Sequence, residues 1–447
     1  MKIIHTIFST SISFLLLLVQ SSPIVAQSET IKISLKGAIE YGLKNRKDIQ
    51  NQQINIKISK NEVEKVKTRS IPQLNAGIDF RYNSLLAAGF AGAGLFGNPE
   101  PLILRFGAPY TNNFSLSASY EVFNPNTYSD KKLAQGNIVA DQLSAESYSI
   151  SIKLSIAQAY YTALLNEEKE KFSTNNLMRT EQYYKDGKEK VRNKTMLQND
   201  LDRLRLDYEN AKISYEEDVK NLLLSKMNLA NQLGADMNVN IILSESLEDV
   251  QKSLPTSIIA QTDIGKRVEI RQEALRLEQN KLQIKKQERS LMPTFSLYGN
   301  WSALQVSSDF QLFNGQWWFP YHFFGFSVNM RLFDGSLRSK IKNEYKLRVI
   351  QSENALNKLQ SDLSFEVASS KIQLQNAYSK LKTAKKNYEL AEDIIKTDKI
   401  RFDEGKISLA ELNNAEYSLS TAQNNLLTLY YSFLLATLNY QKAVGEL

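Results

Sequence analysis

The sequence repeats itself at one spacing, and that duplication commits the chain to two similar halves. "SIPQLNAGIDFRYNS" (70–84) corresponds to "LMPTFSLYGNWSA" (291–303): a proline, then an alternating strand. "FSLSASYEVFNPNTYSDKK" (114–132) corresponds to "FGFSVNMRLFDGSLRSK" (324–340), where an alternating strand runs into Phe-Asn-Pro or Phe-Asp-Gly and a helix start. "NKTMLQNDLDRLRLDYENAK" (193–212) resembles "EGKISLAELNNAEYSLSTAQ" (404–423), and "ANQLG" (230–234) resembles "QKAVG" (441–445). Phe123 maps to Phe333, Asp200 to Glu411 and Gly234 to Gly445, each about 210 residues on. The Pro72–Pro293 offset is larger because the first inter-strand loop is longer.

Each half reads as helix, strand, loop, strand, long helix, return helix. The pattern predicts helices over 33–70 and 263–290, long helices over 130–192 and 338–403, and returns over 196–233 and 407–444. The first repeat spans 27–234 and the second 263–447; residues 235–262 read as a polar linker. In the second half Leu356, Leu359, Leu363, Val367, Ser370, Leu374, Ala377, Leu381, Ala384, Tyr388, Ala391 and Ile395 step by three or four residues throughout. Ala140, Leu143, Ser147, Ile150, Leu154, Ala157, Tyr161 and Leu164 do the same in the first. Such spacing means coiled-coil packing, with small residues on the seam allowing close approach. At 1.5 Å per residue a helix of about 65 residues is roughly 100 Å long, too long for a compact globule.

The first residues, with Lys2, an apolar Ile12–Val19 and a small Ala26, read as a signal peptide over 1–26. No later segment has the 18 or so apolar residues of a transmembrane helix. A formal charge of +7 on 447 residues, with both signs interspersed, argues against a nucleic-acid surface. There is no cysteine, so thiolate chemistry and a cysteine-borne lipid are excluded. One histidine, His322, remains beyond the leader, in the aromatic run "WWFPYHFFG" with no nucleophile motif nearby. Nothing reads as an enzyme, and no cofactor or metal is expected.

The strands, expected at about 73–84, 112–123, 294–304 and 323–333, each have two faces. Leu74, Ala76, Ile78, Phe80 and Tyr82 oppose Asn75, Gly77, Asp79, Arg81 and Asn83. Phe114, Leu116, Ala118, Tyr120 and Val122 oppose Ser115, Ser117, Ser119 and Glu121. Phe324, Phe326, Val328, Met330 and Leu332 oppose Gly325, Ser327, Asn329 and Arg331. The third strand is less regular, because Gly299 interrupts its apolar face and Tyr298 and Leu304 lie on the other. A half-buried soluble sheet has the same pattern. Here the apolar faces are aromatic-rich, and Trp301, Trp317, Trp318, Phe319 and Tyr321 suit an interfacial girdle. Ten or so residues tilted near 45° cross the roughly 25 Å apolar band of an outer-membrane barrel. Asp79, Arg81, Glu121 and Arg331 would then face a wet lumen. Four strands cannot close a barrel and lipid tolerates no open edge, so the barrel is shared between chains. Two copies give eight strands and a filled interior; three give twelve and a lumen.

The duplicated plan, with "RFDEGKISLAELNNAEYSL" (401–419) and "RLFDGSLRSK" (331–340), resembles the TolC-like outer-membrane efflux proteins across nearly all of the chain beyond the leader. The resemblance implies an α+β membrane protein: a homotrimer whose 12-stranded β-barrel continues into a long periplasmic α-helical coiled-coil tunnel. It implies the exit duct of a tripartite efflux pump, served by a periplasmic adaptor and an inner-membrane transporter. A type I secretion duct and a non-channel exported coiled-coil protein are the alternatives. In the family a glycine in each hairpin-tip turn precedes a return helix whose acidic residues narrow the pore. Gly405 fits the second tip and Lys194 stands where glycine is usual in the first; Lys194 and Lys406 would face the adaptor. Asp200 and Glu411 fit acidic positions, and Asn414 replaces the second acid. A solvated helix face is the competing reading of both carboxylates. Phe402 and Ile407 stand where the family uses a tyrosine and an arginine to hold the closed state.

Overall fold

The computed structural model describes residues 30–94, 97, 99–237, 239–253, 264–311 and 318–447. The expected leader and Trp317 lie outside the described residues. In chain order the elements are β1 (Thr30–Ile33), α1 (Leu35–Asn45), α2 (Lys47–Thr68), β2 (Gln73–Tyr82), β3 (Ala87–Ala91), β4 (Leu102–Phe106), β5 (Tyr110–Phe123), α3 (Pro125–Arg192), α4 (Gln198–Leu233), β6 (Asn240–Leu243), α5 (Leu247–Ser253), α6 (Val268–Arg289), β7 (Thr294–Ser307), β8 (Trp318–Asn329), α7 (Leu337–Asp403) and α8 (Leu409–Val444). None of the described helices is long and apolar enough to cross a membrane. The chain forms two compact units, and each draws residues from both repeats.

One unit (Lys47–Leu154, Thr256–Lys380 and Leu435–Leu447) holds the four-stranded sheet, in the antiparallel order β2-β5-β7-β8. Its register keeps one parity on one face. Ile78 lies opposite Phe114, which lies opposite Ala303, and Ala303 is opposite Pro320. Likewise Leu74, Ala118, Gly299 and Phe324 follow one another across the sheet. The other face carries rows such as Asn75, Ser117, Asn300 and Phe323. Because side chains alternate with period two, one residue of slippage would invert a strand, so this agreement across four strands is a strong constraint. Within the described sheet, β2 and β8 are the outermost strands.

Several expectations change here. The fourth strand begins and ends earlier than 323–333, so Arg331 lies in the irregular link to α7 and not on a strand face. The ladder ends where Asn329 pairs with Thr294, the first residue of β7, and the link then turns through two left-handed residues, Gly335 (φ 64°) and Ser336 (φ 71°). The girdle splits by parity: Trp301 and Trp318 share the apolar face, whereas Phe319 and Tyr321 lie on the opposite one. The long first inter-strand loop carries a hairpin of its own, β3 against β4.

The other unit (residues up to Arg46, Ser155–Pro255 and Leu381–Leu434) holds the two hairpin tips and a parallel pairing of β1 with β6. Part of the expected linker is therefore packed structure: Ile241 and Val250 are buried. Tyr160 donates to Glu245 (3.0 Å), and Glu245 accepts from the backbone of Leu35 at the start of α1 (2.8 Å). Burial pushes the Tyr160 hydroxyl pKa up, and the Glu245 carboxylate adds to the rise.

The helix expected over 33–70 is broken at Arg46, whose backbone is extended (ψ 130°). The break frees its guanidinium to donate to the Gln232 carbonyl (2.7 Å), beside the left-handed Gly234 that ends α4. The second repeat does the same. Arg267 donates to the carbonyls of Lys442 (3.0 Å) and Ala443 (2.8 Å), beside left-handed Gly445. An arginine on the last carbonyls satisfies orphan acceptors and complements the helix dipole.

The long helices follow the heptad reading. The seam positions Leu363, Ser370, Leu374, Leu381, Ala384, Ala391 and Ile395 are all buried. Other apolar residues at heptad spacing are not: Phe365 and Ile372 of α7, and Leu206 and Ile213 of α4, are exposed.

Candidate functional site: the paired hairpin tips

The chain reverses twice at the end of a long helix, at 193–197 and 404–408. Both turns are built alike. The Lys194 and Gly405 amides donate to Val191 and Phe402 carbonyls (2.9 and 3.0 Å). The next amides, of Thr195 and Lys406, reach back to Lys190 and Arg401 (2.8 and 2.7 Å). This is the paired closure of a helix ending in a left-handed residue. Gly405 takes that conformation (φ 70°) at no steric cost, and Lys194 takes it (φ 60°) despite its Cβ. Lys194 and Lys406 are exposed at the turns.

The return helices start differently. Ser408 caps α8: its Oγ accepts from the Glu411 amide (3.2 Å), and Glu411 accepts from the Ser408 amide (2.8 Å) and hydroxyl (3.0 Å). That reciprocal box holds the Glu411 carboxyl below the usual carboxylate range. Leu197 sits at the matching place before α4 and supplies no side-chain cap. Asp200, in the first turn of α4, is half-exposed, and Glu411 and Asn414 are exposed.

The two tips lie side by side. Tyr183, Leu204, Ala391, Ile395, Leu409, Leu412, Ala415 and Leu419 form one core, with Phe402 and Ile407 packed against it. Lys190 stands over the Phe402 ring (4.6 Å) and pairs with Asp403 (3.5 Å). Phe402 and Ile407 thus act here as apolar packing.

The polar ties between the hairpins lie higher up, at residues the sequence reading did not single out. Glu416 of α8 accepts from Arg179 Nε (3.2 Å) and Nη2 (3.1 Å) and from the Tyr183 hydroxyl (3.1 Å), both on α3. Only 15% of the Glu416 side chain is exposed, so this pair is shielded from bulk screening. Burial, with Glu416 beside it, raises the Tyr183 pKa and keeps the hydroxyl a donor. Asn413 donates to Asp207 of α4 (3.1 Å). Burial raises the Asp207 pKa, partly offset by the Asn413 bond. Tyr183, Asp207, Asn413 and Glu416 line a cleft of about 390 Å³. A sequence signal existed: Asn176, Arg179 and Tyr183 step by three and four residues, one residue out of phase with the earlier seam of α3, and carry polar groups where that seam is mostly apolar.

A duplicated chain with two long helical hairpins and an amphipathic four-stranded sheet has the fold of the outer-membrane channels. In sequence, residues 261–446 match the family described as outer membrane efflux protein. In structure, the chain superposes on CusC, whose crystal structures concern transmembrane channel formation, with a TM-score of 0.72 at 17% identity over 93% of both chains. It superposes on the Neisseria gonorrhoeae MtrE outer membrane channel in its open state with a TM-score of 0.70, at 17% identity over 96% of this chain and 94% of that one. For VceC, an outer membrane protein of Vibrio cholerae, the values are 0.67 and 15%, over 92% and 96%. A comparison with curated proteins finds no match in sequence. The chain is thus similar to outer membrane efflux proteins, in sequence through its second half and in fold through nearly its whole length.

Proposed function

We propose that three copies of this chain form the exit duct of a tripartite efflux pump. They would close a 12-stranded barrel in the outer membrane and a helical tunnel in the periplasm, and work with a periplasmic adaptor and an inner-membrane transporter. The observation that carries the reading is the four-strand register. It gathers the apolar residues of β2 and β5, and most of those of β7 and β8, on one face and leaves β2 and β8 outermost, an arrangement that lipid tolerates only if other copies pair with those edges. The exposed apolar residues of α4 and α7 suit burial between copies in the same assembly.

In the trimer Asp79, Arg81 and Glu121 face the lumen, whereas Arg331 lies below the strands. Lys194, Gly405 and Lys406 meet the adaptor. Three copies each of Asp200, Glu411 and Asn414 gather toward the pore axis, with the Glu411 ring weakly cation-favouring. Arg179, Tyr183 and Glu416 tie the first hairpin to the second and hold the periplasmic end closed, in place of the bonds that Phe402 and Ile407 cannot make. The test is heat-resistant trimers in the outer-membrane fraction that conduct ions in planar bilayers. A water-soluble monomer without conductance refutes the duct.

A further inference from the structure

The polar face of the sheet is not uniformly polar, and its exception is organised. On that face β8 presents Phe319, Tyr321 and Phe323 at alternate positions, the parity of Ser327 and Asn329 and opposite to that of Phe324 and Phe326. The column continues at Gly325, whose missing side chain is replaced by a ring from β7. A Cβ on Gly325 would fall 2.6 Å from Tyr298 Cζ. Tyr298 meets Phe323 edge to face, with centroids 6.3 Å apart at 74°. All four rings stay open to solvent, with exposures of 54, 45, 47 and 43% for Phe319, Tyr321, Phe323 and Tyr298. On the same face β2 and β5 carry no ring between Gln73 and Arg81 or between Thr111 and Glu121. Beside the rings, half-buried Asn300 of β7 provides a polar margin and donates to the fully buried Ser302 (3.1 Å).

We infer that this column is an aromatic track that binds flat apolar or cationic-aromatic groups of exported solutes. The inference rests on reading that face as the duct's lumen. Same-face positions recur about every 7 Å along a strand, so the track offers successive weak sites over roughly 20 Å. Ring faces attract flat apolar groups and organic cations without demanding a particular hydrogen-bond pattern. Such contacts suit a passage that must bind and release.

The test uses trimers in planar bilayers with two ions of equal charge, tetramethylammonium and benzyltrimethylammonium, added on the barrel side. The benzyl ion should lower conductance saturably, and at least twofold more than its partner. In Tyr321→Thr with Phe323→Thr, which keeps β-branched residues on the strand, that preference should vanish while trimer level stays unchanged. If the double variant does not assemble, Tyr321→Thr alone should show a reduced preference. Equal action of the two ions on wild type, or an undiminished preference in the variants, overturns the track. Bilayer-inserted trimers that conduct no ions at all overturn the duct reading, and the track with it.

Discussion

Lysine placed on the sheet tests the assigned faces with a graded outcome. Ile78 lies half a residue from the middle of β2, and on the apolar face. Lysine there should cost about 2–4 kcal/mol per copy, the penalty for a cation at the bilayer midplane. At 1.4 kcal/mol per tenfold, that is about 30- to 700-fold in the folding equilibrium. Val328 is on the same face but next to the last residue of β8. About 4.5 residues from the strand's middle, at 3.4 Å each and tilted near 45°, puts it roughly 11 Å from the midplane, near the edge of a 25 Å band. Lysine there should cost only about 0–1 kcal/mol. Had β8 run over 323–333, Val328 would have been central and the cost like that at Ile78. Ser117, on the other face, should accept lysine with little loss. The assay is folding into lipid vesicles against guanidinium chloride, with heat-resistant trimers as a second readout. Equal losses at Ile78 and Ser117 refute the faces; equal losses at Ile78 and Val328 refute the strand boundaries.

Ser408→Ala should destabilise by about 1 kcal/mol, and Leu197→Ser should recover a similar amount by giving α4 the cap it lacks, both read from denaturant midpoints. The Glu411 carboxyl has a lowered pKa, so its share of stability is present above the ordinary glutamate range and is lost as pH falls through the folded value; Glu411→Gln should flatten that dependence and keep the cap. Lys194→Gly should stabilise by about 1 kcal/mol by relieving the left-handed turn, while Gly405→Ala should cost about as much in the same assay. Glu416→Gln weakens the tie to Arg179 and Tyr183 and should raise bilayer conductance several-fold; unchanged conductance removes this tie from the closed state.

The sequence by itself determined the duplication, the heptad seams and the parity of the strands. These are local periodicities, written in which residue follows which, and the seam at Leu363, Leu374 and Leu381 is buried where the stepping placed it. It also marked the tip turns, because a glycine at 405 between two helical patterns has a specific conformational use. What only the tertiary structure decided are the places where distant residues meet. The helix expected over 33–70 breaks at Arg46, where the guanidinium reaches the carbonyl of Gln232, 186 residues away along the chain. Residues 240–243 are a strand because they find Thr30–Ile33. Glu416 is a tie because Arg179 and Tyr183 lie across from it. The aromatic column exists because β8 pairs with β7 back to Trp318, which brings Phe319 and Tyr321 into line with Phe323 on the face opposite Phe324. Periodicity fixes which side a residue takes within its own element. Partners far along the chain fix where elements end and which charges are buried, and no local pattern encodes them.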